Sequence, residues 1–226
     1  SLKNEWKRKK MAAKGLLVMD VDSTLIEEEV IDLLGEKAGM GDKISEITAA
    51  AMSGEIDFKE SLRERVALLS GLPTTIFDDV YKEIHLTKGA TGLIETLHAK
   101  GWKAGLVSGG FHEIVDKIAR DLKIDYVFAN RLSVENGHLT GKTHGTVVDK
   151  DFKVDRLKQW ANENKLNLSE VIAVGDGAND IPMLNTAGIG IAFCAKPAVK
   201  AAVSYHIDKR NLLTVLEFVD KLADKE

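Results

Sequence analysis

Leu16-Leu17-Val18-Met19-Asp20-Val21-Asp22-Ser23-Thr24 joins an unbroken apolar run to two carboxylates two residues apart. The run reads as a buried strand. In extended backbone, residues i and i+2 point to the same side. Asp20 and Asp22 can therefore face one small volume past the strand's C-terminal end, where open α/β sheets bind ligands. Paired carboxylates suit a nucleophile beside a general acid/base, a metal site, or both.

Outward from that stretch, apolar runs with strand character recur at Trp102–Val107, Tyr126–Ala129, Val171–Val174, Ile189–Phe193 and Tyr205–Ile207. Helical patterns at Gly92–Ala99, Glu113–Leu122 and Asp155–Glu163 alternate with them. This alternation predicts βαβ units and an α/β fold on a mostly parallel sheet. Asn211 to Leu222 places Leu212, Val215, Leu216, Val219 and Leu222 on one stripe, a docked C-terminal helix. Asn136-Gly137 between short apolar segments predicts a hairpin. The stretch from Glu29 to Ile84 breaks the alternation. It carries four helical patterns, Val30–Ala38, Lys43–Met52, Phe58–Leu69 and Thr75–Ile84, punctuated by Gly54, Gly71 and Pro73. A helical insertion directly after the aspartates would lie over the sheet edge as a lid, excluding water and supplying specificity.

The 226 residues suffice for one large domain, or a domain with an insertion. Hydrophobic content of 44% and charged content of 29% are those of a soluble globular protein. A net charge of -4 argues against a nucleic-acid partner. No apolar run approaches the roughly 20 residues that span a membrane. The one cysteine, Cys194, excludes an internal disulfide framework and fits a reducing cytoplasm; it reads as a small core residue after a strand. Lys7-Arg8-Lys9-Lys10 precedes too short an apolar segment for a secretion signal, so residues 1–14 read as a solvated arm.

Four groups can build a site: Asp20 with Asp22, the Val107-Ser108-Gly109-Gly110 segment, a lysine near the Asp155–Glu163 helix, and Gly175-Asp176-Gly177-Ala178-Asn179-Asp180. Each alone reads as a turn or a cap. Three of them follow strand patterns, and parallel strand ends converge on one edge. The Ser108 segment, between strand and helix, offers a hydroxyl and backbone N–H groups as a phosphate cradle. Asp20, Asp22, Asp176 and Asp180 together repel an anion, which a divalent cation resolves. All-oxygen donors favour Mg²⁺ over zinc. The chemistry indicated is phosphoryl transfer to a carboxylate nucleophile. Two other motifs fail. Gly137 to Thr143 is one residue short of a Walker A loop and has no helix pattern behind it. The Asp176 loop has Ala187 where an EF-hand needs glutamate. The six histidines show no zinc spacing.

From about Leu16 onward the chain resembles the haloacid dehalogenase superfamily, in its phosphoserine phosphatase branch. Asp20-Val21-Asp22-Ser23-Thr24-Leu25 resembles the first motif of that family and Val107 to Phe111 the second; Lys153 with Leu157 resembles the third and Gly175 to Asp180 the fourth. Phe128 to Leu132 and Ala192 to Pro197 match the branch. Val21 stands where many members carry phenylalanine or methionine, and Val154 where glycine is common. The resemblance implies a Rossmann-like parallel sheet flanked by helices, comprising 15–28 and 85–226, with a small helical-bundle cap at 29–84. It implies Mg²⁺-dependent hydrolysis of O-phospho-L-serine through an aspartyl-phosphate. Asp20 would be the nucleophile and Asp22 the general acid/base. Asp20, the Asp22 carbonyl and Asp176 would hold the metal, supported by Asp180. Ser108, Gly109, Lys153 and Asn179 would bind the phosphoryl oxygens. In the cap, Glu29 would meet the substrate ammonium and Arg65 its carboxylate, with Met52 and Phe58 covering the ligand. An arginine fork matches a carboxylate bidentately. Met52 and Phe58 equally suit packing within the cap.

Two other readings remain: a phosphatase or phosphotransferase acting on another small phosphomonoester, and a catalytically silent binding protein on the same fold. Glu29 and Arg65 favour an amino-acid phosphate over a sugar phosphate. The intact set of Asp20, Asp22, Lys153 and Asp176 opposes the silent reading.

Overall fold

The computed structural model describes residues 1–52 and 55–223. The side chains of Arg8, Lys9, Lys10 and Met52 lie outside the described set. A central strand, β1 (Leu16–Met19), is flanked by β2 (Lys103–Phe111) and β5 (Val171–Gly175), both parallel to it. Beyond β2 come β3 (Tyr126–Glu135) and β4 (His138–His144); beyond β5 come β6 (Ile189–Phe193) and β7 (Tyr205–Ile207). The order is β4-β3-β2-β1-β5-β6-β7, and only β3 with β4 runs antiparallel. Strand order reverses direction between β1 and β5. That is the switch point at which such sheets open a crevice for ligand.

All four residues of β1 are buried, as expected of a strand covered on both faces. Leu17 and Met19 pack on one face against α6 (Ala90–Ala99), α7 (His112–Leu122) and α11 (Val215–Ala223). Leu16 and Val18 pack on the other against α8 (Lys150–Glu163), α9 (Ile181–Thr186) and α10 (Pro197–Ala202). Register then decides where chemistry falls. Met19 is level with Leu106 on one side and Val174 on the other. The residues that follow, Asp20, the Val107–Gly110 segment and the Gly175–Asp176 pair, thus leave the sheet together.

The residues between β1 and α6 include α2 (Val30–Lys37), α3 (Gly41–Met52), α4 (Phe58–Ala67) and α5 (Ile76–Glu83), within two residues of the expected bounds. Asp57 caps α4 by accepting from the N–H groups of Lys59 and Glu60 at 3.1 and 3.4 Å. The hairpin turn has φ +51° at Asn136 and +74° at Gly137, the doubly left-handed turn that follows the right-handed twist of paired strands.

Several expectations change. Residues expected only as a solvated arm include a helix, α1 (Leu2–Lys10), capped by the Ser1 hydroxyl. Helix α8 starts at Lys150 rather than Asp155, because the Asp149 carboxylate accepts from the Phe152 N–H at 2.8 Å. Strand β2 continues through Ser108, Gly109 and Gly110, with a register shift before Phe111 pairs with Asn130. The expected loop is therefore an irregular strand end. The C-terminal pattern divides into a 3₁₀ turn, Leu212–Thr214, and α11. Cys194 is half-buried and packs against the edge of the core; its φ is +46° and its Sγ lies 3.7 Å from the Asp208 carbonyl. No described helix is long and apolar enough to cross a membrane.

Candidate active site

Asp20 is the first residue past β1, and its N–H donates to the Val174 carbonyl at 3.0 Å. The chain then enters a wide turn, Val21–Leu25, closed by the Ile26 N–H on the Val21 carbonyl at 3.1 Å. Inside it Ser23 adopts φ +59°, a left-handed conformation that a serine holds only when its surroundings fix it. The Ser23 hydroxyl donates to Glu29 Oε1 at 2.7 Å, and the Thr24 hydroxyl donates to Asp176 Oδ1 at 2.9 Å. Thr24 was absent from the predicted site. Two hydroxyls directly after Asp-x-Asp were the available signal.

Lys153 is fully buried. Its ammonium lies 3.1 Å from Asp20 Oδ1 and 2.6 Å from Asp180 Oδ1. Burial works against its charge, but Asp180 and Asp20 raise its pKa above the usual lysine value. The other oxygen of Asp180 accepts from the N–H groups of Gly177 and Asp176 at 3.1 and 3.2 Å. Asp180 therefore braces the loop that carries Asp176. Asp20, Asp176 and Asp180 bring carboxylate oxygens within 4.8 Å of one another.

Such crowding has an electrostatic cost. Burial, with Asp176 adding to it against the pull of Lys153, pushes Asp20 up to about 7. Burial, with Asp180 adding to it, pushes Asp176 up to about 6, and burial, with Asp20 adding to it against the pull of Lys153, pushes Asp180 up to about 6. Asp22 is raised well above the usual range, first by burial, then by Glu29 and Asp20. Its buried Oδ1 has no hydrogen-bond partner among the described residues. One lysine does not neutralise four carboxyls. Oxygen-only donors, raised proton affinities and an orphaned carboxyl oxygen together fit a hard divalent cation.

Ser108 is fully buried, and its Oγ accepts from the Gly110 N–H at 2.8 Å. The Gly109 carbonyl accepts from Asn130 Nδ2 at 2.9 Å, and Asn130 Oδ1 accepts from the Val148 N–H at 2.7 Å. Asn130, within the Phe128 to Leu132 stretch that matches the branch, thereby fixes the irregular end of β2. A Cβ on Gly109 would approach Phe58 Cζ to 3.1 Å, so glycine permits α4 to come this close.

These groups line a cavity of about 830 Å³ between the sheet edge and the helices α2 to α4. Glu29, Phe58 and Arg65 line its helical wall; Asp20, Ser108 and Asn179 line the sheet side. Arg65 is buried, with Nε donating to the Ser61 carbonyl and Nη1 to the Thr48 hydroxyl, both at 3.2 Å. Burial lowers its pKa, while Glu29, Asp32 and Asp22 hold the charge in place. Burial raises Glu29. Every predicted site residue whose side chain is described thus borders this cavity, except Asp180 and Lys153, which lie beneath Asp20. Met52 ends α3, and the direction of its side chain lies outside the described set.

A sequence model of haloacid dehalogenase-like hydrolases matches residues 17–185. The phosphoserine phosphatase of Streptococcus thermophilus is 60% identical over 93% of this chain and 98% of its own length. That of Streptomyces coelicolor is 46% identical over 94% of this chain, which spans 54% of the longer relative. A solved structure described as a phospho-aspartyl intermediate analogue of phosphoserine phosphatase superimposes with a TM-score of 0.87 at 42% identity, covering 92% of this chain and 99% of that one. A substrate-bound phosphoserine phosphatase complex gives 0.88, over 92% of this chain and 100% of that one. The chain belongs to the haloacid dehalogenase-like hydrolases and, within them, to the phosphoserine phosphatases.

Proposed function

We propose that this hydrolase converts O-phospho-L-serine and water to L-serine and phosphate. The observation that carries the reading is one cavity with two unlike walls. A carboxylate–lysine cluster forms the floor, and an opposed carboxylate and guanidinium, Glu29 and Arg65, form the roof. A free amino-acid phosphate carries complementary charges for both.

Residues 29–84 act as a cap over a core of 15–28 and 85–226, with 1–14 as an arm. Arg65 takes the substrate carboxylate and Glu29 its ammonium, while Phe58 and Met52 cover the ligand. Ser108, the Gly109 N–H, Lys153 and Asn179 hold the phosphoryl oxygens. Asp20 attacks phosphorus, and the P–O bond to serine breaks as the aspartyl-phosphate forms. Asp22, whose hold on its proton is strengthened by burial and by Glu29 and Asp20, gives that proton to the leaving serine oxygen. The resulting carboxylate takes a proton from water, which attacks the aspartyl-phosphate. Phosphate leaves and Asp20 is regenerated. Asp20, the Asp22 carbonyl and Asp176 would hold Mg²⁺, with Asp180 fixing the Asp176 loop. The ion supplies the positive charge that lets a phosphoryl group approach carboxylates. The activity belongs to L-serine synthesis in the cytoplasm.

A panel of phosphomonoesters with Mg²⁺ tests the reading. L-phosphoserine should exceed phosphothreonine and sugar phosphates in kcat/KM. Equal or better turnover of a sugar phosphate overturns the substrate assignment.

A further inference from the structure

Arg210 lies in the loop after β7, outside every motif of the site, yet its guanidinium reaches the active turn. Nη2 donates to the Ser23 carbonyl at 2.8 Å, and Nη1 donates to the Thr87 hydroxyl at 3.1 Å. Buried Thr87 in turn donates to the Thr24 carbonyl at 2.7 Å. The guanidinium carbon stands 5.4 Å over the Phe193 ring, which fixes the side chain from behind. Two successive carbonyls of the turn are therefore held, one directly and one through Thr87.

Ser23 is the point of leverage. Its N–H donates to the Glu28 carbonyl at 3.1 Å, its hydroxyl donates to Glu29, and its carbonyl accepts from Arg210. Its left-handed backbone follows directly on Asp22. Fixing Ser23 thus fixes the direction of the Asp22 carboxyl and the seat of Glu29. Thr87 lies just past the return from α5 to the core, so the same clamp joins the turn to that crossing.

We propose that Arg210 is a positioning residue for the hydrolysis, clamping the Asp22–Thr24 turn against Thr87 and so orienting Asp22 and Glu29. The inference rests on the roles given to those two residues above. The planar fork suits two diverging acceptors, which a lysine ammonium cannot reach together.

The test uses the full chain with Mg²⁺ and compares wild type, Arg210→Ala and Arg210→Lys on L-phosphoserine and on p-nitrophenyl phosphate, with thermal melting alongside. The aryl ester lacks the ammonium and carboxylate, so it reports the turn without the roof. Arg210→Ala should lower kcat on both substrates by about tenfold, as loss of a charged hydrogen bond to an aligned carbonyl implies. KM should rise for phosphoserine alone. Arg210→Lys should recover part of kcat, and millimolar guanidinium should restore Arg210→Ala while leaving wild type unchanged. Unchanged kcat in the folded variant overturns the clamp. So does a loss that neither lysine nor guanidinium repairs, since the arginine would then act only through the fold. If wild type cleaves the aryl ester but not phosphoserine, the substrate assignment fails, while the kcat comparison still decides the clamp.

Discussion

Removing divalent metal should make this protein lose stability as pH rises from 5 to 8. In the metal-free fold the Asp20 carboxyl titrates at about 7, against an ordinary 3.8 in the unfolded chain. Between those values the native state keeps a proton that the unfolded state has released. Stability therefore falls as pH rises through the window and the loss is complete above the folded value. From pH 5 to 8 Asp20 alone costs about 3 kcal/mol, since the slope of roughly 1.4 kcal/mol per pH unit flattens near the folded value. Asp176 and Asp180, raised to about 6, steepen the fall below pH 6. Lys153 adds nothing to the slope here, since its raised pKa acts only above the ordinary lysine value of 10.5. The assay is urea unfolding in chelator at several pH values, beside Asp20→Asn. Wild type should lose about 3 kcal/mol more than Asp20→Asn over this range. Adding Mg²⁺ at a hundredfold excess over its dissociation constant should restore about 2.7 kcal/mol. The restoration should be larger at pH 8 than at pH 5, because binding needs ionised carboxylates. Parallel curves for wild type and Asp20→Asn would refute the reasoning.

Asp20→Asn should also abolish turnover in full Mg²⁺, and wild type in chelator should do the same; phosphate release above background in either condition removes Asp20 or the metal from the mechanism. Arg65→Ala should raise KM for L-phosphoserine by about a hundredfold, the scale of losing a buried charged partner, with p-nitrophenyl phosphate unaffected. An unchanged phosphoserine KM would reject Arg65 as the carboxylate site. Gly190→Ala should destabilise the chain by several kcal/mol, because its Cβ would fall 1.8 Å from the Leu184 carbonyl and force α9 away from β6. A midpoint in urea equal to wild type would show that α9 shifts freely.

Much of the site was legible because its residues stand one after another past strand ends. Apolar runs fixed which strands exist, and parallel pairing brings the ends of β1, β2 and β5 level. What escaped sequence reading depends on partners far along the chain. Ser108 to Gly110 look like a loop by composition, and stay in β2 because Asn130 and Phe111 hold that end. Arg210 and Thr87 carry no motif, and their value arises only where β7, the turn after β1 and the return from α5 meet. The start of α8 was different: the Asp149 cap was readable, and it places Lys153 near the helix's N-terminal end.

The β3–β4 hairpin, on the outer edge of the sheet, bears on how substrate enters. The Gly71 N–H donates to the Leu139 carbonyl, the Leu139 N–H to Leu72, and the Thr74 N–H to Gly137, at 2.8 to 2.9 Å. The segment joining α4 to α5 is thus moored to the sheet by backbone. A swing of all four helices about the two chain crossings would break these three bonds. Moving α3 and the first turn of α4 breaks none of the three; among the described residues it costs the Arg65–Thr48 hydrogen bond and the Lys59–Asp149 ion pair, both at 3.2 Å. If these helices open to admit substrate, the end bearing Phe58 is expected to yield first, while the end beyond Ala67 stays fastened as a sill.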